Sequence, residues 1–462
     1  MHTQIMSQHS LVVSKFGGTS MNDAHTMHLC ADVVIKQKSS LVVVSATSGT
    51  TNQLLDLGQK SALKQNLEAE KLVDLISQRH LQIAQNLNLN KERSQQLNDL
   101  LNELKQLSFG IGLLKDASDR NLDSLVSLGE RMSSVLFSQA LENQLQKKSI
   151  QKKSLWLDAR DFIKTDDRFS RAQPVIDEIE KNCAKLKPEL TQNIFVTQGF
   201  IGATLSGQTT TLGRGGSDFS AALFAEGLQA DILEIWTDVA GIATTDPRLV
   251  KEARMIPEIS FTEASELATF GAKVLHPATL LPAMRKNIPV FVGSSFAPDQ
   301  PGTWVRKTSV SAPLVRALAL RNNQKLVTLT TPNMWQTHGF LFQIFKVFND
   351  YKISVDAITT SEISVALTLD SAQDFPQKAI DELSQFAEVQ MESNLSLVSL
   401  IGNNVNFTPG LAEKTFSVLK SMNVRMICQG ASRHNFCFLL EESLAPSAIQ
   451  KLHQHFIENQ RL

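Results

Sequence analysis

The chain has 462 residues, too many for one ordinary core and suited to two or three domains. Hydrophobic residues make up 42% and charged residues 20%, the balance of a folded water-soluble protein. A formal net charge of −1 offers no global field for nucleic acid or an anionic membrane, and no apolar run approaches the roughly 18 residues of a membrane span.

The N-terminus, MHTQIMSQHS, has no apolar core that could serve as a signal peptide. The four cysteines, Cys30, Cys183, Cys428 and Cys437, form neither a CxxC pair nor a zinc-ligand spacing. A cytoplasmic protein with reduced thiols and no protein-held metal is the expectation. A strand at Leu11–Ser14 runs into the glycine turn Phe16-Gly17-Gly18-Thr19-Ser20, and a second at Leu41–Val44 into the small-residue turn 45–52. Strand, hydroxyl-rich turn, helix, repeated, is the grammar of a parallel α/β sheet. From about Ser61 to Gln146 the pattern is helical, and Leu97, Leu100, Leu101, Leu104 and Leu107 form a stripe expected to pack on the sheet, with a heptad partner helix as the alternative.

Alternation returns at Ile194–Val196, ahead of the loop Thr209-Thr210-Thr211-Leu212-Gly213-Arg214-Gly215-Gly216-Ser217-Asp218. A helix over Phe219–Glu226, a strand over Ile232–Trp236 leading to Thr237-Asp238, and a strand over Val290–Val292 follow. Pro298, Pro301, Gly302 and Pro313 mark a domain boundary. Beyond it lies a weak repeat of βαββαβ form, a split-βαβ unit, in which Ile353-Ser354-Val355 matches Val424-Arg425-Met426 and Ser361 matches Ser432. The second copy lacks a fourth strand, and Val315–Leu320 is a spare strand before the first. The spare strand is expected to complete the second unit, with the first inserted within it.

Three glycine or hydroxyl turns at strand ends could let backbone N–H groups approach phosphate oxygens. No GxxxxGK[ST] or protein-kinase signature is present. Lys15, at the end of a buried strand, is costly unless its ammonium meets an anion, the alternative being a lysine that reaches solvent from the sheet edge. Arg214, between two glycines, offers a guanidinium fork to a carboxylate, or a structural salt bridge. Ser217 and Asp218 suit a helix cap and a phosphate site alike.

Lys15-Phe16-Gly17-Gly18-Thr19-Ser20 resembles the N-terminal signature of aspartate kinases. Thr210–Asp218, Trp236-Thr237-Asp238 and Phe270-Gly271-Ala272-Lys273-Val274-Leu275-His276-Pro277 are similar to motifs of the same family in the same order, and the likeness extends almost to the C-terminus. The resemblance is to the monofunctional, lysine-sensitive type. It implies an α/β fold: an amino-acid-kinase (carbamate-kinase-like) parallel-sheet sandwich over 1–308, then two ACT-type regulatory units over 309–394 and 395–462. It also implies transfer of a phosphoryl group from ATP, with Mg²⁺, to L-aspartate, giving 4-phospho-L-aspartate.

Carried over by motif, Lys15 and Asp218 would be catalytic, and Thr51, Glu130, Arg214 and Ser217 would hold aspartate. Glu130 would meet its ammonium and Arg214 its α-carboxylate, although a helical salt bridge is the other reading of Glu130. Lys15, Gly17, Gly18, Thr237, Asp238, Arg248 and Lys273 would surround ATP. The family often has tyrosine where this chain has Ala243, so Ala243 is not carried over, and His276 is read as structural. In the first ACT-type copy, Met334, Thr337, Phe340, Leu341, Asp356, Ser361 and Glu362 would bind L-lysine as an inhibitor, unless Asp356 and Glu362 are solvated turn residues. Ile427 and Arg433 at the matching places disfavour a cationic ligand in the second copy. A homodimer or homotetramer is implied. Rival readings are a kinase of glutamate, acetylglutamate or UMP, or a non-catalytic amino-acid sensor; a bifunctional kinase–dehydrogenase is disfavoured because no dinucleotide fingerprint follows.

Overall fold

The computed structural model describes residues 10–271, 277–332, 338–370, 373 and 375–459. These form two compact units. The first comprises the described residues within Met1–Ile242, Met255–Phe261 and Val274–Ser309; the second those within Ala243–Arg254, Thr262–Lys273 and Val310–Leu462. Two stretches inside the span 1–308 therefore pack with the C-terminal residues.

In chain order the first unit contains β1 (Val12–Phe16), α1 (Ala24–Lys36), β2 (Leu41–Val44), α2 (Thr50–Ala62), α3 (Asn66–Leu87), α4 (Lys91–Leu114) and α5 (Asp119–Lys147). There follow β3 (Ser154–Trp156), α6 (Ala159–Phe162), β4 (Lys164–Thr165), α7 (Ile176–Leu186), β5 (Ile194–Gln198), β6 (Ile201–Thr204), β7 (Thr209–Thr211), α8 (Gly216–Leu228) and β8 (Ile232–Thr237). Beyond these lie β9 (Glu258–Ser260), α9 (Phe261–Thr269, mostly in the second unit), α10 (Pro277–Lys286), β10 (Val290–Ser294) and β11 (Thr303–Arg306).

The main sheet has the order β3-β5-β2-β1-β8-β10-β11-β9, parallel from β3 to β10, with β11 antiparallel to β10. β1, β2 and β5 are buried along their whole length, as strands covered on both faces must be. Helices α1 and α5 pack on one face, while α8 lies on the other with α7 and α10 beside it. A small sheet, β4-β6-β7, stands apart. β1 lies between β2 and β8, where the order of connection reverses, and the turns after all three open at one edge. That is where a doubly wound sheet leaves a crevice for ligands.

Leu97, Leu100, Leu101 and Leu104 are buried, but α4 rests on α5 and α2 rather than on the sheet. α5 occupies the sheet face, so the stripe fills a second helical layer. Periodicity reveals a buried face and not what buries it.

The second unit is built on β12 (Ala317–Thr330), α11 (Phe340–Asp350), β13 (Ala357–Thr360), β14 (Ser364–Asp370), α12 (Gln377–Leu383) and β15 (Glu388–Ile401). α13 (Leu411–Val418), β16 (Val424–Cys428), β17 (Asn435–Glu441) and α14 (Ala445–His453) complete it, with a π-helical turn at Gln454–Glu458. One antiparallel sheet carries both repeats in the order β13-β14-β12-β15-β17-β16. The two 14-residue strands β12 and β15 each serve both copies. Ala317–Arg321 pairs with Leu397–Ile401, so the strand preceding the first copy closes the second. The sequence suggests separate strands here because the polar triplets Arg321-Asn322-Asn323 and Glu392-Ser393-Asn394 interrupt the apolar pattern. They are bulges within continuous strands, with Asn323 and Asn394 at positive φ.

Candidate active site

The crevice beside β1 is a cavity of about 830 Å³ bordered by the turns after β1, β2, β7 and β8 and by the inner side of α5. Lys15 sits in β1 between Val43 and Ile235, is 8% exposed, and aims its ammonium at the cavity rim. There its Nζ lies 2.5 Å from Asp218 Oδ1 at the start of α8. The buried ammonium is thus anchored to an acid instead of reaching past the sheet edge. Gly17 and Gly18 line the wall above it, with the Gly17 N–H donating to Trp236 O (3.3 Å).

Arg214 stands between Gly213 (φ 76°) and Gly215 (φ 74°), backbone that a residue with a Cβ rarely adopts. The kink lifts Arg214 onto the cavity wall, exposed and with no ion pair to any described residue. Gly199, after β5, is required for a different reason: a Cβ there would lie 2.7 Å from Ser217 Cβ, so β5 could not pass so close to α8. Thr51 and Ser217 line the cavity, as do Thr237 and Asp238, whose side chains are hydrogen-bonded to each other (3.0 Å).

Glu130 projects from the middle of α5 and is 3% exposed. Burial pushes its carboxyl up to about 8, although the backbone N–H of Ala46 acts in the opposite direction. Its Oε2 has no hydrogen-bond partner among the described residues. A helical salt bridge is therefore not what occupies it. The site presents an acceptor that favours an ammonium and a guanidinium that favours a carboxylate, which together suit an α-amino acid.

Three supporting residues lie outside the sequence motifs. Asp123 of α5 accepts the Thr211 N–H (2.8 Å), the Thr211 hydroxyl (2.7 Å) and the Ser170 N–H (2.9 Å), bracing the strand that leads to Arg214. Burial raises its carboxyl despite these bonds. His80 of α3 is fully buried, which lowers its ring to about 4. Its Nδ1 faces Ile76 O (2.7 Å), so Nε2 of the neutral ring accepts the Thr47 hydroxyl (3.3 Å), and Thr47 bonds Thr50 (2.5 Å) in the turn after β2. Phe200 holds a positive φ of 68° and lines the cavity, and the Ile201 N–H donates across it to Gly199 O (2.8 Å). That strain at a cavity is a mark of a functional position. In the sequence only the hydroxyl-rich turns hinted at such supports.

Other predicted positions lie elsewhere. Arg248 falls in the second unit, exposed and paired with Asp246 (2.6 Å). Lys273 and His276, with Met334 and Thr337, lie outside the described residues. Phe340 begins α11 and is buried, while Leu341 is 40% exposed. Ser361 bonds Ser364 (2.7 Å), and Glu362 is exposed. Asp356 is no solvated turn residue: it pairs with Arg321 (3.0 Å), and its carboxyl is raised by burial against the opposing pull of that guanidinium. No helix among the described residues is long and apolar enough to cross a membrane.

Comparison with known proteins identifies a family for the chain. The family model of the amino acid kinase family matches residues 10–294, and an ACT domain model matches 398–456. Lysine-sensitive aspartokinase 3 of Escherichia coli (strain K12) is 46% identical, over 97% of this chain and 99% of the relative. The crystal structure of E. coli aspartokinase III with aspartate and ADP (R-state) superposes with a TM-score of 0.85 at 45% identity, covering 96% of this chain and 99% of the other. The same enzyme with lysine and aspartate (T-state) gives 0.82 at 45% identity, covering 97% and 99%.

Proposed function

The chain belongs to the aspartokinases of the amino acid kinase family, and from that premise we propose that it phosphorylates the β-carboxylate of L-aspartate under feedback inhibition by lysine. The product, 4-phospho-L-aspartate, would open the route to lysine, threonine and methionine. The observation that carries the substrate reading is the presence in one cavity of a buried, unpartnered Glu130 oxygen and of Arg214, which has no ion pair among the described residues.

In this reading Glu130 takes the substrate ammonium and Arg214 the α-carboxylate, with Thr51 and Ser217 completing the cradle. The β-carboxylate is then directed at the phosphoryl group near Lys15. A free aspartate side chain has a pKa of about 4, so the nucleophile is already ionised and needs no general base. The barrier is an anion approaching a polyanion. Lys15, held by Asp218, and backbone N–H groups of the turn beyond Gly17 offset that repulsion as charge spreads over the transferring group. Thr237 and Asp238 border the nucleotide end, with Arg248 and Lys273 assigned to ATP by motif. Mg²⁺ would accompany the nucleotide as part of the substrate and would supply positive charge against its phosphates.

Lysine would bind the first ACT-type copy at Met334, Thr337, Phe340, Leu341, Asp356, Ser361 and Glu362, in a cytoplasmic homodimer or homotetramer. The E. coli enzyme crystallised with lysine and aspartate supports lysine as the effector. The deciding experiment measures ADP release and hydroxylamine-trapped acyl phosphate with aspartate, glutamate and acetylglutamate, each with lysine or threonine added. Turnover of aspartate alone, suppressed by lysine, is expected. Turnover of glutamate in its place overturns the substrate, and inhibition by threonine alone overturns the effector.

A further inference from the structure

The antiparallel sheet of the second unit has β13 at one edge and β16 at the other, yet the two edges meet. Thr359 of β13 helps to join them. Its hydroxyl lies 3.3 Å from Ile427 O and 3.3 Å from Cys428 Sγ, both on β16, and the Cys428 thiol also approaches Ile358 O (3.9 Å). A threonine hydroxyl has one proton, so it donates either to the carbonyl or to the sulfur. A strand of the first copy is thus fastened to a cysteine of the second.

Cys428 ends β16 and stands directly opposite Cys437 of β17 in the antiparallel register. Opposed residues on such strands point to one face, with Cα atoms about 4.5–5.5 Å apart, inside the roughly 4.4–6.8 Å that disulfides span. The two thiols are hydrogen-bonded to each other. All four cysteines are free: Cys30, Cys183 and Cys437 are buried, and Cys428 is partly exposed. It sits at the margin of the apolar cluster that holds Cys437, Met426 and Leu439. The bond from Cys437 holds the Cys428 thiol below its usual range; burial opposes this, and Thr359 adds to it. The same bond, together with burial, holds Cys437 above that range. One sulfur is accessible and nucleophilic, and the other lies shielded beside it. That is the arrangement of a reactive thiol and a resolving thiol.

We propose that Cys428 and Cys437 form a reversible, peroxide-driven disulfide whose closure releases Thr359 and loosens the first regulatory copy. The Cys428 thiolate attacks one oxygen of hydrogen peroxide and the O–O bond breaks. The departing hydroxide takes back the proton that Cys428 lost on ionising and leaves as water. The Cys437 sulfur then attacks the sulfenic acid on Cys428. The S–O bond breaks, the S–S bond forms, and the released hydroxide carries off the Cys437 proton as a second water. Two electrons pass from the two thiols to the peroxide. Opposed Cβ atoms stand about 4.5–5.5 Å apart in a sheet and about 3.5–4.5 Å apart in a disulfide, so closure draws Cys428 towards Cys437 and off Thr359. β13 lies between Asp356 and Ser361, so its release is expected to weaken inhibition by lysine. That consequence rests on the reading of those two residues as lysine contacts, whereas the thiol chemistry does not. A disulfide in a reducing compartment is transient and redox-sensing, and cellular thiols reopen it.

The test treats the full chain with hydrogen peroxide, counts thiols after denaturation and maps peptides without reduction. The four thiols of the parent should fall to two, with Cys428 linked to Cys437, and dithiothreitol should restore all four. Cys437→Ser should stop at a sulfenic acid on Cys428, trapped by dimedone. Should that variant fail to fold, Cys428→Ser, altered at a partly exposed position, should keep its three remaining thiols through the same treatment. Oxidation of the parent should raise the lysine concentration for half-inhibition about threefold to tenfold, the scale of one hydrogen bond. Reduced Thr359→Val should show the same rise, with no further shift on oxidation. Four thiols after peroxide, a Cys428 bond to a second chain, or a sulfenic acid that persists in the parent overturns the disulfide. A mapped disulfide with unchanged lysine sensitivity overturns the release of β13. A reduced parent insensitive to lysine overturns the effector reading instead, and the thiol count still decides the disulfide.

Discussion

The cavity of the first unit and the first regulatory copy of the second place their charges differently. Around the cavity, Glu130 and Lys15 are 3% and 8% exposed, one with an oxygen lacking a hydrogen bond and the other bound to a single acid. In the regulatory copy, Glu362 and Ser361 are exposed, and Asp356 already has Arg321 as partner. A phosphoryl-transfer site gains from groups fixed in a dry, low-dielectric setting before substrate arrives. A sensing site needs only a difference in ligand affinity between two states, usually 1–3 kcal/mol in scale. The catalytic region is therefore expected to be intolerant of substitution and the regulatory region to respond by degrees.

The largest effect should come from Lys15→Ala or Asp218→Ala, each lowering turnover by about 10²–10³-fold, as loss of a preorganised charge does. Steady-state kinetics on protein with a normal melting transition checks it. Near-parent turnover in folded Lys15→Ala would place the reaction elsewhere and erase the contrast.

Glu130→Gln sharpens the contrast in a second way, because function and stability should move in opposite directions. Burial raises the folded carboxyl from 4.5 to about 8. A raised acid favours the folded state while protonated, and stability is lost as pH climbs from the unfolded value through the folded one. Glu130→Gln should therefore be more stable than the parent by a few kcal/mol at pH 8, with little difference at pH 4. Its KM for aspartate should rise about 10²-fold, the cost of an unpaired buried ammonium. In the parent, aspartate affinity should improve from pH 6.5 towards 8 as Glu130 ionises. A flat pH profile together with unchanged stability would show that Glu130 does not face the ammonium.

On the regulatory side, Glu362→Ala and Asp356→Ala should raise the lysine concentration for half-inhibition about tenfold, with uninhibited turnover intact. Asp356→Ala also removes the Arg321 pair, so a modest loss of stability should accompany it alone. Unchanged lysine sensitivity in both variants would move the effector site. The smallest effect concerns His80. His80→Gln can return an oxygen towards Thr47 in place of Nε2, whereas His80→Asn cannot reach. His80→Asn should raise aspartate KM by about threefold to tenfold relative to His80→Gln. Equal KM values would reduce His80 to a packing residue.

Much of the catalytic region was readable along the chain, for a physical reason. Lys15, Gly17, Gly18 and the loop from Gly213 to Asp218 are contiguous because a turn at one strand end has to supply backbone, charge and helix start within a few residues. Asp123, His80 and Phe200 escaped notice because each acts on a segment remote in sequence, and no local pattern marks such a partner. The pairing of Asp356 escaped notice for the same reason, because Arg321 lies on β12, remote in sequence.

What the sequence by itself determined is the alternation of elements, the edge of the sheet where ligands gather, and the spare strand that the second repeat needs. Hydrophobic period and turn chemistry are local, and they survive in a string of residues. The tertiary structure alone decided that α4 packs on α5, that β12 and β15 run unbroken through their bulges, and that Ala243–Arg254 joins the second unit. Each depends on which of several compatible surfaces a segment meets, and that choice is made by contacts between residues far apart in the chain.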